Sequence, residues 1–276
     1  MNHLDAILLG IIQGITEFLP ISSTAHLTLA GRLIGLVRAD APGEWTATIA
    51  IIQLGTAASI LLYFRRELLS MTRSLASDLA DLSRARREGF RPDSRLAFLI
   101  ALGTVPIVLL GLLLKPVIEG GLTKDPTVIA WSLICLALIL LLAERMGRRT
   151  RTLEGKTATD AILVGLAQAV ALIPGASRSG TTIAAGLFLG FTREAAARFS
   201  FLLSIPAILA SGMYQLYEVR EHLTRGDLAF LALSVVSSGV TGYLAIAFLL
   251  QYLKQHSTMV FIVYRILLGI SLLLFI

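Results

Sequence analysis

One short polar message occurs twice in this chain, each time inside sequence apolar enough for a membrane. Residues 5–13 read DAILLGIIQ and residues 160–168 read DAILVGLAQ, identical at six of nine positions at an offset of 155 (160 − 5). Each copy runs into a proline and a cluster of hydroxyls: Pro20-Ile21-Ser22-Ser23-Thr24 in the first, Pro174-Gly175-Ala176-Ser177-Arg178-Ser179-Gly180-Thr181-Thr182 in the second. Apolar helices resemble one another by chance, so the weight falls on the repeated Asp, the repeated Gln and the break from Pro into Ser. A duplicated broken helix in a membrane protein lines a polar site near the bilayer midplane.

The chain is 55% hydrophobic and only 15% charged, against about 25% charged for a soluble domain. That composition belongs to an integral membrane protein. The net charge of +6 is no sign of nucleic-acid binding, because the basic residues sit between apolar stretches, where they set topology. The single Cys135 excludes an internal disulfide and a cysteine metal cage. The first apolar run carries Gln13, Thr16 and Glu17, which does not suit a conventional signal peptide.

Spanning helices are expected near 46–64, 96–118 and 127–143, and again near 199–218, 227–253 and 259–276. The loop 65–95 holds eight arginines and the loop 144–159 holds Arg145, Arg148, Arg149, Arg151 and Lys156, whereas 119–126 has only Lys124. Both basic loops are therefore expected in the cytoplasm and 119–126 outside. The segments 4–37 and 160–191 are each broken near the middle, so each is read as a re-entrant hairpin whose open backbone faces a water-lined cavity. Three crossings separate the hairpins, which makes the repeats inverted and puts both termini outside. The expected fold is an all-α polytopic membrane protein of inverted topology, with two re-entrant hairpins and about six full spans. It forms a single domain over 1–276, with repeat one near 1–118 and repeat two near 127–276.

Gln13 and Glu17 share one helix face, and Pro20 should end that helix. Ser22, Ser23 and Thr24 can cap the next one, with His26 in its first turn. A carboxylate at mid-bilayer costs roughly 2.5–3.5 kcal/mol on insertion scales, so a metal ion or a cationic partner should offset it. The second break supplies Arg178, whose planar fork suits phosphate, together with the free N–H groups of a helix N-terminus and Gly180, which admits a close ligand. Blander readings exist: Ser and Thr at helix breaks also satisfy their own backbone, Glu17 can simply pair with Arg178, and His26 can cap its helix. Gln13 and Gln168 are expected to bond across the repeat, and Asp5 and Asp160 to cap their helices.

Gln13-x-x-x-Glu17-Phe-Leu-Pro-x-Ser-Ser-x-x-His26 resembles the first signature of the undecaprenyl-diphosphate phosphatase family associated with bacitracin resistance. Pro174-Gly-x-Ser-Arg-Ser-Gly180 resembles its second. Gln53-Leu54-Gly55, Phe199–Pro206 and Tyr264-Arg265 also fall where that family would have them. The resemblance spans essentially the whole chain. It implies a multi-pass enzyme of the bacterial plasma (inner) membrane, opening to the periplasmic face, that hydrolyses undecaprenyl diphosphate to the monophosphate with Mg²⁺ or Ca²⁺. It implies Glu17 as essential carboxylate and metal ligand, Arg178 as diphosphate clamp, and Ser23 and His26 as alternatives for nucleophile and acid/base. Gln13, Ser22, Ser177, Ser179, Gly180 and Thr182 would bind substrate. One departure is Ile49, where some members carry an acidic residue. The partners implied are the polyprenyl diphosphate and membrane lipids, with no nucleic acid and a homodimer left open. The rival class is an inverted-repeat transporter or flippase, which would need no Glu17/Ser23/His26 set beside an anion cradle.

Overall fold

A computed structural model of the protein describes residues 2–37, 42–221 and 224–275, and its regular structure there is helical. The first half comprises α1 (His3–Phe18), α2 (Ser23–Leu33), α3 (Pro42–Tyr63), α4 (Arg65–Ala80), α5 (Leu82–Glu88), α6 (Pro92–Leu113), α7 (Lys115–Glu119) and α8 (Pro126–Met146). The second comprises α9 (Ala158–Val170), α10 (Arg178–Phe188), α11 (Arg193–Val219), α12 (Arg225–Gln255) and α13 (Met259–Phe275). Five of these helices are long and apolar enough to cross a membrane: α3, α6, α8, α11 and α12. The sixth expected span is α13, an apolar helix of 17 residues, just short of the roughly 20 that cover the hydrocarbon. The protein is polytopic.

The arginine-rich stretch 65–95 differs from the expected loop, because most of it folds as α4, α5 and the start of α6. Asp78, fully buried in α4, explains this: it accepts Arg84 Nη2 at 2.5 Å and the backbone N–H of Arg91 at 2.9 Å. Asp160 caps α9 in a reciprocal box with Thr157 and is also gripped by Arg151 at 2.6 and 3.0 Å. The cap of α1 is Asn2 rather than Asp5, its side chain accepting the Leu4 N–H while Asp5 lies in the first turn.

The two breaks adopt the same backbone. Ser22 has φ 76°, ψ 98° and Ser177 has φ 69°, ψ 105°, again 155 residues apart (177 − 22). Positive φ is uncommon for a residue with a Cβ and must be held by its surroundings. Each serine stabilises the turn it strains: Ser22 Oγ accepts the Ala25 N–H at 3.3 Å and Ser177 Oγ accepts the Gly180 N–H at 3.2 Å. α1 packs along α12 and α9 along α6, both at close range. A Cβ on Gly14 would lie 1.9 Å from Thr241 Oγ1, and one on Gly165 would lie 2.2 Å from the Gly103 carbonyl. Small residues let membrane helices approach this closely. α3 lies against α11 and α12, and α8 against α13. Pro106 in α6 and Pro206 in α11 each remove a helix hydrogen bond, and the cavity described next opens just beyond both.

Candidate active site

The tips of the two broken helices touch. Arg178, first residue of α10, donates Nη2 to Glu17 Oε1 at 2.7 Å. Ser179 Oγ donates to the Leu19 carbonyl at 3.1 Å, and the Gly175 N–H donates to Thr24 Oγ1 at 3.3 Å. The other carboxylate oxygen, Glu17 Oε2, accepts Gln13 Nε2 at 2.8 Å and Ser23 Oγ at 2.7 Å. Glu17 is therefore oriented by an amide and a guanidinium while it holds the hydroxyl of Ser23. Among the described residues, Arg178 Nη1 is buried and has no partner, a donor beside the cavity left for something else.

That cavity holds about 500 Å³ and has Glu17, Ser22, Ser23, Thr24, Ser177 and Arg178 at its polar end. The remaining expected contacts lie behind this surface. Gln13 steadies Glu17 and reaches Thr56 Oγ1 at 3.5 Å. Thr182 Oγ1, fully buried, donates to the Arg178 carbonyl at 2.7 Å and bonds Ser200 Oγ at 2.6 Å. Ser179 ties the second break to the first, and Gly180 packs against Arg265. His26 is turned away from the cavity. Its ring stacks on Tyr264 at 5.6 Å, Nδ1 sits 2.7 Å from the Ser22 carbonyl, and Nε2 sits 2.6 Å from Tyr264 Oη. A carbonyl only accepts, so Nδ1 carries the hydrogen and the neutral ring accepts the tyrosine O–H at Nε2. Gln13 and Gln168 do not bond each other: among the described residues, both amide atoms of Gln168 are buried without a partner.

The chain matches the family model described as bacitracin resistance protein BacA over residues 6–271. The chain belongs to this family. It is 50% identical over 273 residues to a protein of Syntrophobacter fumaroxidans named undecaprenyl-diphosphatase, covering 99% of this chain and 97% of that one. A second relative of the same name, from Chloroherpeton thalassium, is 51% identical over 282 residues and covers 99% of this chain and 96% of its own.

In this BacA family member, the sequence placed Arg265 only within the family resemblance and gave it no role, yet it is the residue that joins the two breaks. Arg265, in the middle of α13, is fully buried. It donates Nη2 to the Gly175 and Ala176 carbonyls at 3.2 and 2.9 Å, Nη1 to the Pro20 carbonyl at 3.5 Å, and Nε to the Leu133 carbonyl at 3.3 Å. Among the described residues no carboxylate pairs with it. The signal was present, because an arginine inside a 17-residue apolar helix is expensive and marks function. Its neighbour Tyr264 is the partner of His26, so one turn of α13 braces the tips of both breaks.

The far end of the cavity is lined by α7 and the turn after it. Lys124 Nζ donates to the carbonyls of Ile118, Glu119 and Gly120 at 3.0–3.1 Å and to Thr123 Oγ1 at 2.7 Å. Burial pushes its ammonium down to about 8.

Among the described residues no three His, Cys, Asp or Glu side chains converge as a metal cage. Glu17 is the carboxylate at the polar end of the cavity; among the described residues Gln13 Oε1, behind that surface, is buried without a partner. Hard cations take oxygen ligands, and Mg²⁺ commonly uses one or two carboxylates plus substrate phosphates. A Mg²⁺ or Ca²⁺ there would be held by Glu17 and would draw its remaining ligands from a diphosphate.

Proposed function

We propose that this protein hydrolyses undecaprenyl diphosphate to undecaprenyl phosphate and inorganic phosphate. Hydrolysis returns the lipid carrier to the synthesis of peptidoglycan and other surface polymers. It also withdraws the diphosphate that bacitracin sequesters, which accounts for resistance. Membership of the BacA family and the names of its relatives support the substrate. The observation that carries the chemistry is the Ser23–Glu17–Arg178 contact.

A nucleophile within hydrogen-bond reach of a base, with that base oriented by further groups, is the general pattern of covalent catalysis. Ser23 Oγ attacks the terminal phosphorus while Glu17 Oε2 takes its proton. The bridging P–O bond breaks, undecaprenyl phosphate leaves, and the phosphate stays on Ser23. Glu17 passes that proton to the departing undecaprenyl phosphate and is again a carboxylate; it then deprotonates a water that attacks the same phosphorus, and gives this second proton to Ser23 Oγ as inorganic phosphate leaves. Arg178 Nη1 and the free N–H groups at the start of α10 stabilise charge on the phosphoryl oxygens. A bound Mg²⁺ or Ca²⁺, held by Glu17 and diphosphate oxygens, would supply Lewis acidity at the leaving group. His26 acts differently: its Nδ1–H bond to the Ser22 carbonyl supports the strained turn that presents Ser23.

The halves of the chain, near 1–118 and 127–276, are read as inverted repeats with α1–α2 and α9–α10 as re-entrant hairpins. The closely matched break geometry at Ser22 and Ser177 and the paired packing of α1 on α12 and α9 on α6 support this. The arginines of 65–95 and 144–159 support a cytoplasmic location for those loops in the inner membrane. The cavity end bearing Lys124 then faces the periplasm.

The test is phosphate release by purified protein from undecaprenyl diphosphate, with and without EDTA, beside Glu17→Ala and Arg178→Ala. Metal-dependent release abolished by both substitutions is expected. No release by folded wild-type protein given Mg²⁺ or Ca²⁺ would overturn the reading in favour of a carrier.

A further inference from the structure

α3 gives way to α4 at Phe64, where φ −92° and ψ 15° interrupt the regular helix. Phe64 is buried. The ring of Tyr63 meets it edge-on at 5.0 Å, and the ring of Tyr243 on α12 lies 5.5 Å from that of Tyr63. A second pocket, of about 360 Å³, opens at this elbow and shares no lining residue with the cavity of Glu17 and Arg178. Leu62, Tyr63, Arg65, Arg66 and Tyr243 line it.

The charge in this pocket is one-sided. Glu67, also in the lining, is already taken by Arg198, whose guanidinium stands 5.6 Å from the centre of the Phe64 ring. Asp78, farther along α4, is taken by Arg84. Arg65 and Arg66 are exposed and, among the described residues, have neither an ion-pair nor a hydrogen-bond partner. The hydroxyls of Tyr63 and Tyr243 likewise have no partner among the described residues. Two guanidinium groups and two phenol donors around one pocket suit the oxygens of a phosphate ester.

The pocket continues into a lipid-facing strip. On α12, Val236 and Val240 are 64% and 61% exposed. They lie seven and three residues before Tyr243, on the same helix face. On α3, which packs along α12, Leu62 is 53% exposed. A shallow apolar crease therefore runs from the pocket toward the middle of both spanning helices. Tyrosines belong at the membrane–water interface, and the two arginines follow immediately beyond them. A free anion would fill the pocket and leave the crease bare, whereas a lipid phosphate uses both.

We infer that this elbow binds an anionic glycerophospholipid of the surrounding bilayer. Its phosphate lies between Arg65 and Arg66, with Tyr63 and Tyr243 donating to it, and its acyl chains run along Leu62, Val240 and Val236. The site stands apart from the substrate cavity and does not depend on the phosphatase reading.

The test is equilibrium binding of phosphatidylglycerol with a fluorescent acyl chain to the purified protein in neutral detergent micelles. Arg65→Gln/Arg66→Gln should raise its Kd about thirtyfold, equivalent to about 2 kcal/mol, as expected for two arginines that meet an anionic headgroup. Tyr243→Phe keeps the ring and should raise Kd about threefold, the worth of one net hydrogen bond. Arg73→Gln/Arg87→Gln removes equal charge from exposed arginines outside the pocket. It should leave Kd within about twofold, because exposed charges away from the ligand are screened. Thermal melts confirm that each variant is folded. Unlabelled phosphatidylglycerol should displace the probe, and neither phosphatidylcholine nor millimolar inorganic phosphate should. Equal weakening by the two double variants would mean diffuse attraction and overturn the site. Displacement by inorganic phosphate would overturn the lipid as its ligand. Displacement by undecaprenyl phosphate at concentrations below those needed with phosphatidylglycerol would overturn it in favour of a polyprenyl carrier.

Discussion

Arg265→Met tests how the two breaks are held together. The substitution keeps an unbranched apolar side chain of similar reach and removes every donor. Four carbonyls lose their bond to the guanidinium: Pro20, Gly175, Ala176 and Leu133. Leu133 lies inside α8 and keeps its helical bond, so three carbonyls at the breaks lose this donor. A buried polar group left unpaired costs about 1–3 kcal/mol, or roughly 3–9 kcal/mol for three. Water from the adjoining cavity can solvate some of them, and removing a buried charge that has no counter-ion offsets more. A net loss near 3 kcal/mol follows. Activity should suffer beyond stability, because Glu17 and Arg178 sit on different breaks and meet only if both tips are fixed. A displacement of about 1 Å costs on the order of a hundredfold in rate. The assay is phosphate release in detergent beside a thermal melt. The expected result is kcat down about a hundredfold in protein still folded at the assay temperature. Arg265→Lys, with three donors on a point charge, should recover only part of that. Wild-type kcat in Arg265→Met would refute the argument.

Gly180→Ala places a methyl 2.6 Å from Arg265 Nη1 and 3.2 Å from Ser177 Cβ. Helix propensity favours alanine by about 1 kcal/mol, so the melting temperature should hold while kcat drops about tenfold; unchanged kcat would show that Arg265 can move. Thr182→Val removes the hydroxyl shared by the Arg178 carbonyl and Ser200, and should cost about 1–3 kcal/mol in a denaturation assay. Lys124 gives a pH signature. Its folded-state pKa of about 8 lies below the unfolded value of about 10.4, so the fold disfavours the charged form and stability rises with pH between the two values. The melting temperature of wild type relative to Lys124→Met should be flat below pH 7 and shift in favour of wild type from pH 8 to 10. A shift in the opposite direction would contradict the burial of that ammonium.

The membrane class and the two breaks were legible because they rest on strong local signals: long apolar runs, Pro20, Pro174 and the serines beside them. The meeting of Glu17 with Arg178 was legible as chemistry, since a lone carboxylate in apolar sequence needs a cation. The placement of His26 was not. One helical turn decides whether a side chain faces the cavity or α13, and the sequence of α2 does not reveal that Tyr264 lies on the far side. Ser179, Gly180 and Thr182 were expected to touch ligand because they cluster around Arg178, yet a helix start turns successive residues through about 100° and buries three of them. The basic stretch 65–95 misled in another way: a loop rich in arginine folds when a buried acid such as Asp78 organises it.

The central claim is that Ser23, activated by Glu17, is the nucleophile, and that His26 is a positioning residue. The direct measurement is the single-turnover rate of phosphate release from undecaprenyl diphosphate by Ser23→Ala and His26→Asn at saturating substrate and metal. Ser23→Ala should release none above background. His26→Asn, whose amide can still donate to the Ser22 carbonyl, should retain turnover within about a hundredfold of wild type, with an unchanged pH profile. Release by Ser23→Ala at a rate near wild type, with His26→Asn inactive, would contradict the account.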